Sequence, residues 1–171
     1  MTQNKLKLNR KVFLFGAILF FFLLGYYLAC SFSQPFRVLK VIDGDTIVVQ
    51  IGFKKETVRL LGVDTPEVKS PYTEEECFGK EASSKTRHLL LKQRVYLLKD
   101  KNVPDRDKYG RLLRYVFLEN GKFVNAELIE EGYAFLYILE PIEFGDYFRY
   151  LEEKAKEQRI GLWGSCSFSG D

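Results

Sequence analysis

Two acidic clusters and one strand arginine set the chemical options of this chain. Asp43 and Asp45 flank Gly44 at the close of one apolar run. Asp64 and Glu67 end another, VRLLGVDTPE (Val58–Glu67), and Arg59 sits near its start. Pro66 biases Thr65 toward extended backbone and stops the strand there. Asp45, Asp64 and the Thr65 carbonyl would offer an oxygen-only donor set, suited to a hard cation with water in the remaining positions. Downstream, Asp107-Lys108-Tyr109-Gly110-Arg111 places two cations and an aromatic ring around a glycine. Lys108 and Arg111 suit phosphate oxygens, Arg111 in a bidentate manner, and Tyr109 suits a base or a phosphate. Taken singly, each feature also reads as a turn; together they describe a place for a metal ion and a phosphate.

Three β-rich runs with short connections must bring the acidic clusters together. Phe36–Ile42, Thr46–Ile51 and Glu56–Leu61 are expected strands, with turns at Asp43-Gly44-Asp45 and at Gly52–Lys55. A helix is expected over Gly79–Gln93, with Ala82, Thr86, Leu89 and Leu90 on one face. Arg94–Leu98 and Arg111–Leu118 make strands four and five, and Asn120-Gly121 marks a turn. Val124–Glu131 is a short helix closed by Gly132, and Tyr147–Arg159 is the last helix, amphipathic and charge-rich. Between them, Tyr133–Leu139 is a short aromatic stretch. The order three strands, helix, two strands, two helices is that of an α+β protein built on a five-stranded Greek-key barrel of the OB type with three helices.

The motifs VIDGDT (Val41–Thr46), VRLLGVDTPE, FGKEAS (Phe78–Ser83), DKYGR (Asp107–Arg111), VNAELIEEG (Val124–Gly132) and GLW (Gly161–Trp163) follow one another in this order. As a set they resemble the staphylococcal nuclease, or thermonuclease, family over Phe36–Trp163. The resemblance implies a calcium-dependent nuclease that cleaves DNA and RNA at the 5′ P–O bond and leaves 3′-phosphate ends. It implies calcium ligation by Asp45, Asp64 and the Thr65 carbonyl, with Asp43 supporting. Glu67 matches the carboxylate that orients or deprotonates the attacking water. Arg59 and Arg111 match the arginines that hold the scissile phosphate. Lys108, Tyr109 and Tyr137 match positions around the neighbouring phosphate and nucleotide. The chain departs from the family pattern at Leu139, where a second tyrosine is common, and in the acidic run Glu74–Glu76 after Glu67. The alternative is a non-catalytic module of the same fold that binds nucleic acid or protein; such modules usually lack the carboxylates or arginines kept here.

The front of the chain is of a different kind. Lys5, Lys7, Arg10 and Lys11 precede VFLFGAILFFFLLGYYLA (Val12–Ala29), which has no charged side chain. As a helix that run would be about 27 Å long, close to the hydrocarbon thickness of a bilayer. Basic residues before it predict a cytoplasmic N-terminus and an exported domain. An uncleaved signal anchor, a cleaved signal peptide and a lipoprotein signal ending at Cys30 all remain open. The expected organisation is thus a basic leader and membrane segment over 1–30 and a linker over 31–35. The barrel domain then covers 36–164, with a tail over 165–171. The expected location is the outer face of the membrane, by anchor or by lipid at Cys30, or the medium, and the expected state is a monomer.

Charge and cysteines follow from this division. The chain carries 26 basic and 23 acidic residues, net +3. Four of the basic residues precede residue 12 and no acid precedes Phe36, so the domain is 22 minus 23, or −1. A global cationic field for steering nucleic acid is therefore absent, and phosphate binding must be local. Of the cysteines Cys30, Cys77 and Cys166, the last two are the pair available within the domain. In an oxidising compartment they would join the tail to the body; two free thiols are the alternative. No Cys-x-x-Cys spacing or histidine cluster suggests zinc, and His88 is the lone histidine.

Overall fold

β-Branched runs make the strands, and a bulge corrects the one that does not alternate. In β1 (Phe36–Val41) Val38 and Val41 are both buried although three residues apart. The pairing steps from Val38↔Val49 to Lys40↔Val48, so Leu39 is an extra residue that resets the inward face. β2 (Thr46–Ile51) turns Ile47 and Val49 inward, and β3 (Lys54–Leu60) turns Val58 and Leu60 inward. Ile51 pairs with Lys54, so the β2–β3 turn is Gly52-Phe53 alone, tighter than the four-residue turn expected. These strands belong to a computed structural model that describes residues 34–69 and 74–167. The expected membrane segment and Cys30 lie outside the described residues. Among the described residues no helix is long and apolar enough to cross a membrane.

β5 (Arg94–Leu98) and β6 (Leu112–Leu118) complete a closed barrel in the order β1-β2-β3-β6-β5. Every neighbouring pair is antiparallel except β3 with β6, which run parallel. Closure removes the open sheet edges. Val38, Ile47, Val49, Val58, Val95 and Val116 are all fully buried in the core. β4 (Val63–Asp64) and β7 (Phe135–Leu136) form a separate two-stranded ribbon, which local pattern had not suggested.

Helix α1 (Gly79–Leu90) buries Ala82, Thr86, Leu89 and Leu90, the face expected from their spacing. It stops before Gln93 because Leu91 is extended and Lys92 takes a left-handed φ of 66°. α2 (Val124–Glu130) and α3 (Gly145–Glu157) pack together, with Leu128, Ile129 and Phe148 buried. α4 (Leu162–Ser165) is a single turn. Its C-cap, Cys166, is disulfide-bonded to Cys77 with Cα atoms 5.9 Å apart. The bridge links positions 89 residues apart, a span whose closure is worth about 4–5 kcal/mol in the chain-entropy account.

One buried amide ties α2 to the strands beneath the site. Asn125 is wholly buried; its Oδ1 accepts from the Val116 N–H at 2.8 Å, and its Nδ2 donates to the Leu61 carbonyl at 2.9 Å. Asn125→Ala would leave a donor and an acceptor unpaired in the core. We expect a loss of about 2–4 kcal/mol, read as a lower denaturation midpoint with an unchanged slope against urea.

Candidate active site

The register of β2 on β3 builds the acidic end of the site. Thr46 pairs with Arg59, and the Leu60 N–H donates to the Asp45 carbonyl at 2.8 Å, which sets Asp45 beside the strand that carries Arg59. Asp45 is almost completely buried, and each of its oxygens is used. Oδ1 accepts from Thr46 Oγ1 at 2.9 Å; Oδ2 accepts from the Thr65 N–H at 3.0 Å and pairs with Arg59 Nη1. The other nitrogen, Arg59 Nη2, donates to Asp64 Oδ1 at 2.7 Å. Two carboxylates from separate segments therefore converge on one guanidinium.

Glycine makes two close approaches possible here. A Cβ on Gly44 would lie 2.5 Å from Thr65 Oγ1, so only glycine lets the Asp43–Asp45 loop settle on Thr65. The Gly44 carbonyl then accepts from Thr86 Oγ1 of α1 at 2.5 Å, which fixes the loop from behind. A Cβ on Gly79 would lie 2.3 Å from the Glu67 carbonyl, so the start of α1 sits directly on Glu67. Asp43 completes its own turn by accepting from the Asp45 N–H at 3.1 Å.

The parallel pairing of β3 with β6 brings the second arginine to the same face. Arg59 pairs with Leu113, and residues two apart on a strand share a face, so Arg111 falls on the side of the barrel that Arg59 occupies. Asp107 holds it there: its Oδ2 accepts from Arg111 Nε at 2.6 Å, and its Oδ1 accepts from the Arg111 and Tyr109 N–H groups at 2.9 Å each. Lys108 Nζ and the Arg111 guanidinium lie 5.0 and 5.3 Å from the Tyr109 ring centre. Arg59, Lys108, Tyr109, Arg111, Tyr137 and Leu139 line one cleft of about 420 Å³, within the range of small-ligand sites. Tyr109 and Tyr137 are exposed and so available to a ligand, as is Leu139. The Tyr137 N–H donates to the Gly62 carbonyl at 3.1 Å, next to the β4–β7 ribbon. Glu67 is not part of that lining; it is exposed on the acidic side, within the field of Asp45, Asp64 and Arg59.

Burial first, and neighbouring acids second, push the carboxylates of this end upward. Burial and then the neighbouring Asp45 push Asp43 up to about 6. Burial raises Asp64 against the pull of Arg59, with Asp45 adding to the rise. Glu67, though exposed at its surface, is raised by partial loss of solvation, then by Asp45, Glu76 and Asp64. Asp107 moves the other way: burial opposes the shift, but the hydrogen bonds from Arg111 and Tyr109 hold it below the ordinary aspartate range. Among the described residues no three Asp, Glu, His or Cys side chains are grouped to hold a metal ion. The expected donor set has only two carboxylates, and here they share Arg59.

Two residues of the site were not singled out from sequence. By sequence Asp107 belongs to a charged turn, yet it is the counter-charge that aims Arg111. By sequence Glu76 is only part of an acidic loop, yet its Oε2 accepts from the Glu67 N–H at 2.9 Å while its own N–H donates to the Glu67 carbonyl at 2.9 Å. The only sequence cue to Glu76 was its place beside Cys77, whose disulfide anchors that strand of the loop.

Comparison with known proteins places this arrangement. A family model described as Staphylococcal nuclease homologue matches residues 57–165. Endonuclease YncB of Bacillus subtilis (strain 168) is 41% identical over 131 residues, covering 75% of this chain and 61% of that protein. The chain thus spans about six-tenths of that relative's length. The thermonuclease of Staphylococcus hyicus is 37% identical over 134 residues, 78% of each chain. That of Staphylococcus intermedius is 40% identical over 135 residues, 77% of each. A barrel with arginines on one outer face, an acidic cluster at its end and matches of this extent give one conclusion: the chain belongs to the staphylococcal nuclease family.

Proposed function

We propose that this protein is a calcium-dependent nuclease that hydrolyses phosphodiester bonds of DNA and RNA and leaves 3′-phosphate ends. The observation that carries the proposal is the placement of Arg59 and Arg111 on one cleft whose end is an acidic cluster. Likeness to an endonuclease and to two thermonucleases supports the same reaction class.

Arg59 and Arg111 would bind the non-bridging oxygens of the scissile phosphate and offset the charge that builds at phosphorus. Glu67 would accept a proton from water as the water oxygen attacks phosphorus. The P–O5′ bond breaks, and the 5′ oxygen leaves and takes up a proton from solvent. A carboxylate raised above its ordinary value is the stronger base for that step, and partial loss of solvation beside other acids raises Glu67 in this way. Lys108, Tyr109 and Tyr137 would hold the adjoining phosphate and base, with weaker stacking at Leu139 than an aromatic ring would give.

The donor set fits a hard divalent cation. It is all oxygen, and Asp45 and Asp64 converge on the same positive group. Asp45, Asp64 and the Thr65 carbonyl would hold the ion, Asp43 supporting. A bound cation would add Lewis-acid polarisation of the phosphate to the arginines' charge. We also propose that the domain acts outside the cell, tethered by the apolar run over 12–29, as a monomer.

Two measurements test this reading. Cleavage of denatured DNA should require calcium, stop with chelator, and fall at least a hundredfold in Arg59→Ala, Glu67→Ala and Arg111→Ala. Full activity in chelator would overturn the metal, and full activity in Glu67→Ala would overturn the base.

The second concerns stability. An acid whose pKa is raised on folding favours the native state when protonated, and that advantage is lost as pH rises from its unfolded to its folded value. For Asp43 the window runs from 3.8 to about 6. The cation-free protein should therefore lose stability from the acidic cluster across that window, and calcium should raise Tm clearly at pH 8 but little at pH 5. Equal shifts at both pH values would contradict it.

A further inference from the structure

The end of the barrel away from the catalytic cleft carries a row of cations that the reaction does not use. Pairing aligns Arg94 with Arg37, Arg37 with Gln50, and Gln50 with Lys55 across four neighbouring strands, β5, β1, β2 and β3. Directly paired residues project from the same face, so Arg94, Arg37 and Lys55 stand side by side on the outer surface, all exposed. Like charges opposite one another in a sheet are destabilising, and Arg37 against Arg94 is such a pair. Arg94 faces Glu119 at 3.5 Å, whereas Arg37, Lys54 and Lys55 have no ion-pair partner among the described residues. The acid next along the chain, Glu56, is taken by Arg106 at 2.8 Å. At the tip of this row Phe53 is completely exposed, at 106% of its reference area.

Two facts of geometry point to what covers this end. First, β1 begins here: Arg37 pairs with Gln50, one residue before Ile51 and the Gly52-Phe53 turn, so the chain enters the barrel beside the hairpin tip. The apolar run ends at Ala29, and residues 30–34 span at most about 18 Å when fully extended. Second, the catalytic end lies at the far end of the same hairpin, where Thr46 pairs with Arg59, about 17 Å along the strands. An apolar ring tipped among cations, beside the entry of a chain that has just left an apolar run, matches an anionic bilayer surface. A nucleic-acid strand would account for the cations but not for the entry point.

We propose that the β2–β3 hairpin docks the barrel on anionic phospholipid, with Phe53 in the interface, Arg37, Lys54 and Lys55 on the headgroups, and the catalytic cleft turned away from the membrane. This rests on the membrane-tether reading above. Each basic residue at such a surface is worth about a fivefold gain in partitioning at moderate salt, and the gain is screened as salt rises.

The test uses the full chain in vesicles of phosphatidylcholine with or without phosphatidylglycerol, the acyl chains brominated. The readout is tryptophan emission in Phe53→Trp, taken as the difference from the parent chain. Tyr109→Trp reports the catalytic end. With phosphatidylglycerol, the signal from position 53 should be quenched and that from position 109 should not. Adding Arg37→Glu and Lys55→Glu should weaken hairpin docking by at least about thirtyfold and abolish the quenching while the chain stays with the vesicles. The same double variant should cleave a soluble oligonucleotide at the parent rate.

No quenching at position 53 in a vesicle-bound chain would overturn the proposal. So would equal quenching without phosphatidylglycerol, or a raised KM for the oligonucleotide in the double variant, which would assign the row to nucleic acid. A chain that vesicles do not retain would overturn the tether itself, and the docking with it.

Discussion

The site hangs on one guanidinium shared by two carboxylates. Arg59 pairs with Asp45 through one nitrogen and with Asp64 through the other, and these acids come from separate segments, one just before β2 and one after β3. Burying a carboxylate is costly unless it is paired and hydrogen-bonded, and Asp45 is both. The same sharing leaves the site short of positive charge. Asp43, Asp64 and Glu67 are all raised, first by loss of solvation and then by the acids beside them. That deficit is the physical argument for a divalent cation at this end, since it would neutralise the repulsion that the protein's own groups leave in place. It would also weaken the hold of Asp45 and Asp64 on Arg59 and so free the guanidinium for a phosphate.

Arg111 is positioned by a different logic. Its partner, Asp107, is stabilised in its charged form by the backbone of the same turn, so the pair is self-contained and does not draw on the acidic cluster. What brings it to Arg59 is topology. β6 runs parallel to β3 and starts opposite Val58, which sets Arg111, just before its first residue, at the level of Arg59. The two arginines thus depend on separate restraints, one electrostatic and crowded, the other local and relaxed.

This difference also explains what could be read from the chain alone. Apolar and β-branched runs bounded by turn residues marked all five barrel strands, and the spacing of Ala82, Thr86, Leu89 and Leu90 marked the buried face of α1. Asp43, Asp45, Asp64 and Glu67 stood out because acids and turn residues were close in sequence. The bulge at Leu39, the two-residue β2–β3 turn and the β4–β7 ribbon did not stand out, because each depends on which residue lies opposite. Glu76 and Asp107 were missed for a related reason. Their work is to accept hydrogen bonds from the backbone of another residue, and side-chain type alone does not reveal such a contact.

The near-neutral charge of the domain conceals a separation. One end of the barrel gathers Asp43, Asp45, Asp64, Glu67 and Glu76; the other aligns Arg37, Arg94 and Lys55. Net charge then says little about how a polyanion is received, because the field near each end has its own sign over a Debye length of about 8–10 Å. On the proposed reading, a nucleic acid approaching the cleft meets repulsion from the acids as well as attraction from Arg111 and Lys108. A cation among those acids removes the repulsion, and a bound phosphate in turn strengthens the hold on the cation. Linkage makes the two effects equal in free energy. Substrate affinity in this chain would therefore be set less by its total of lysines and arginines than by occupancy of the acidic end.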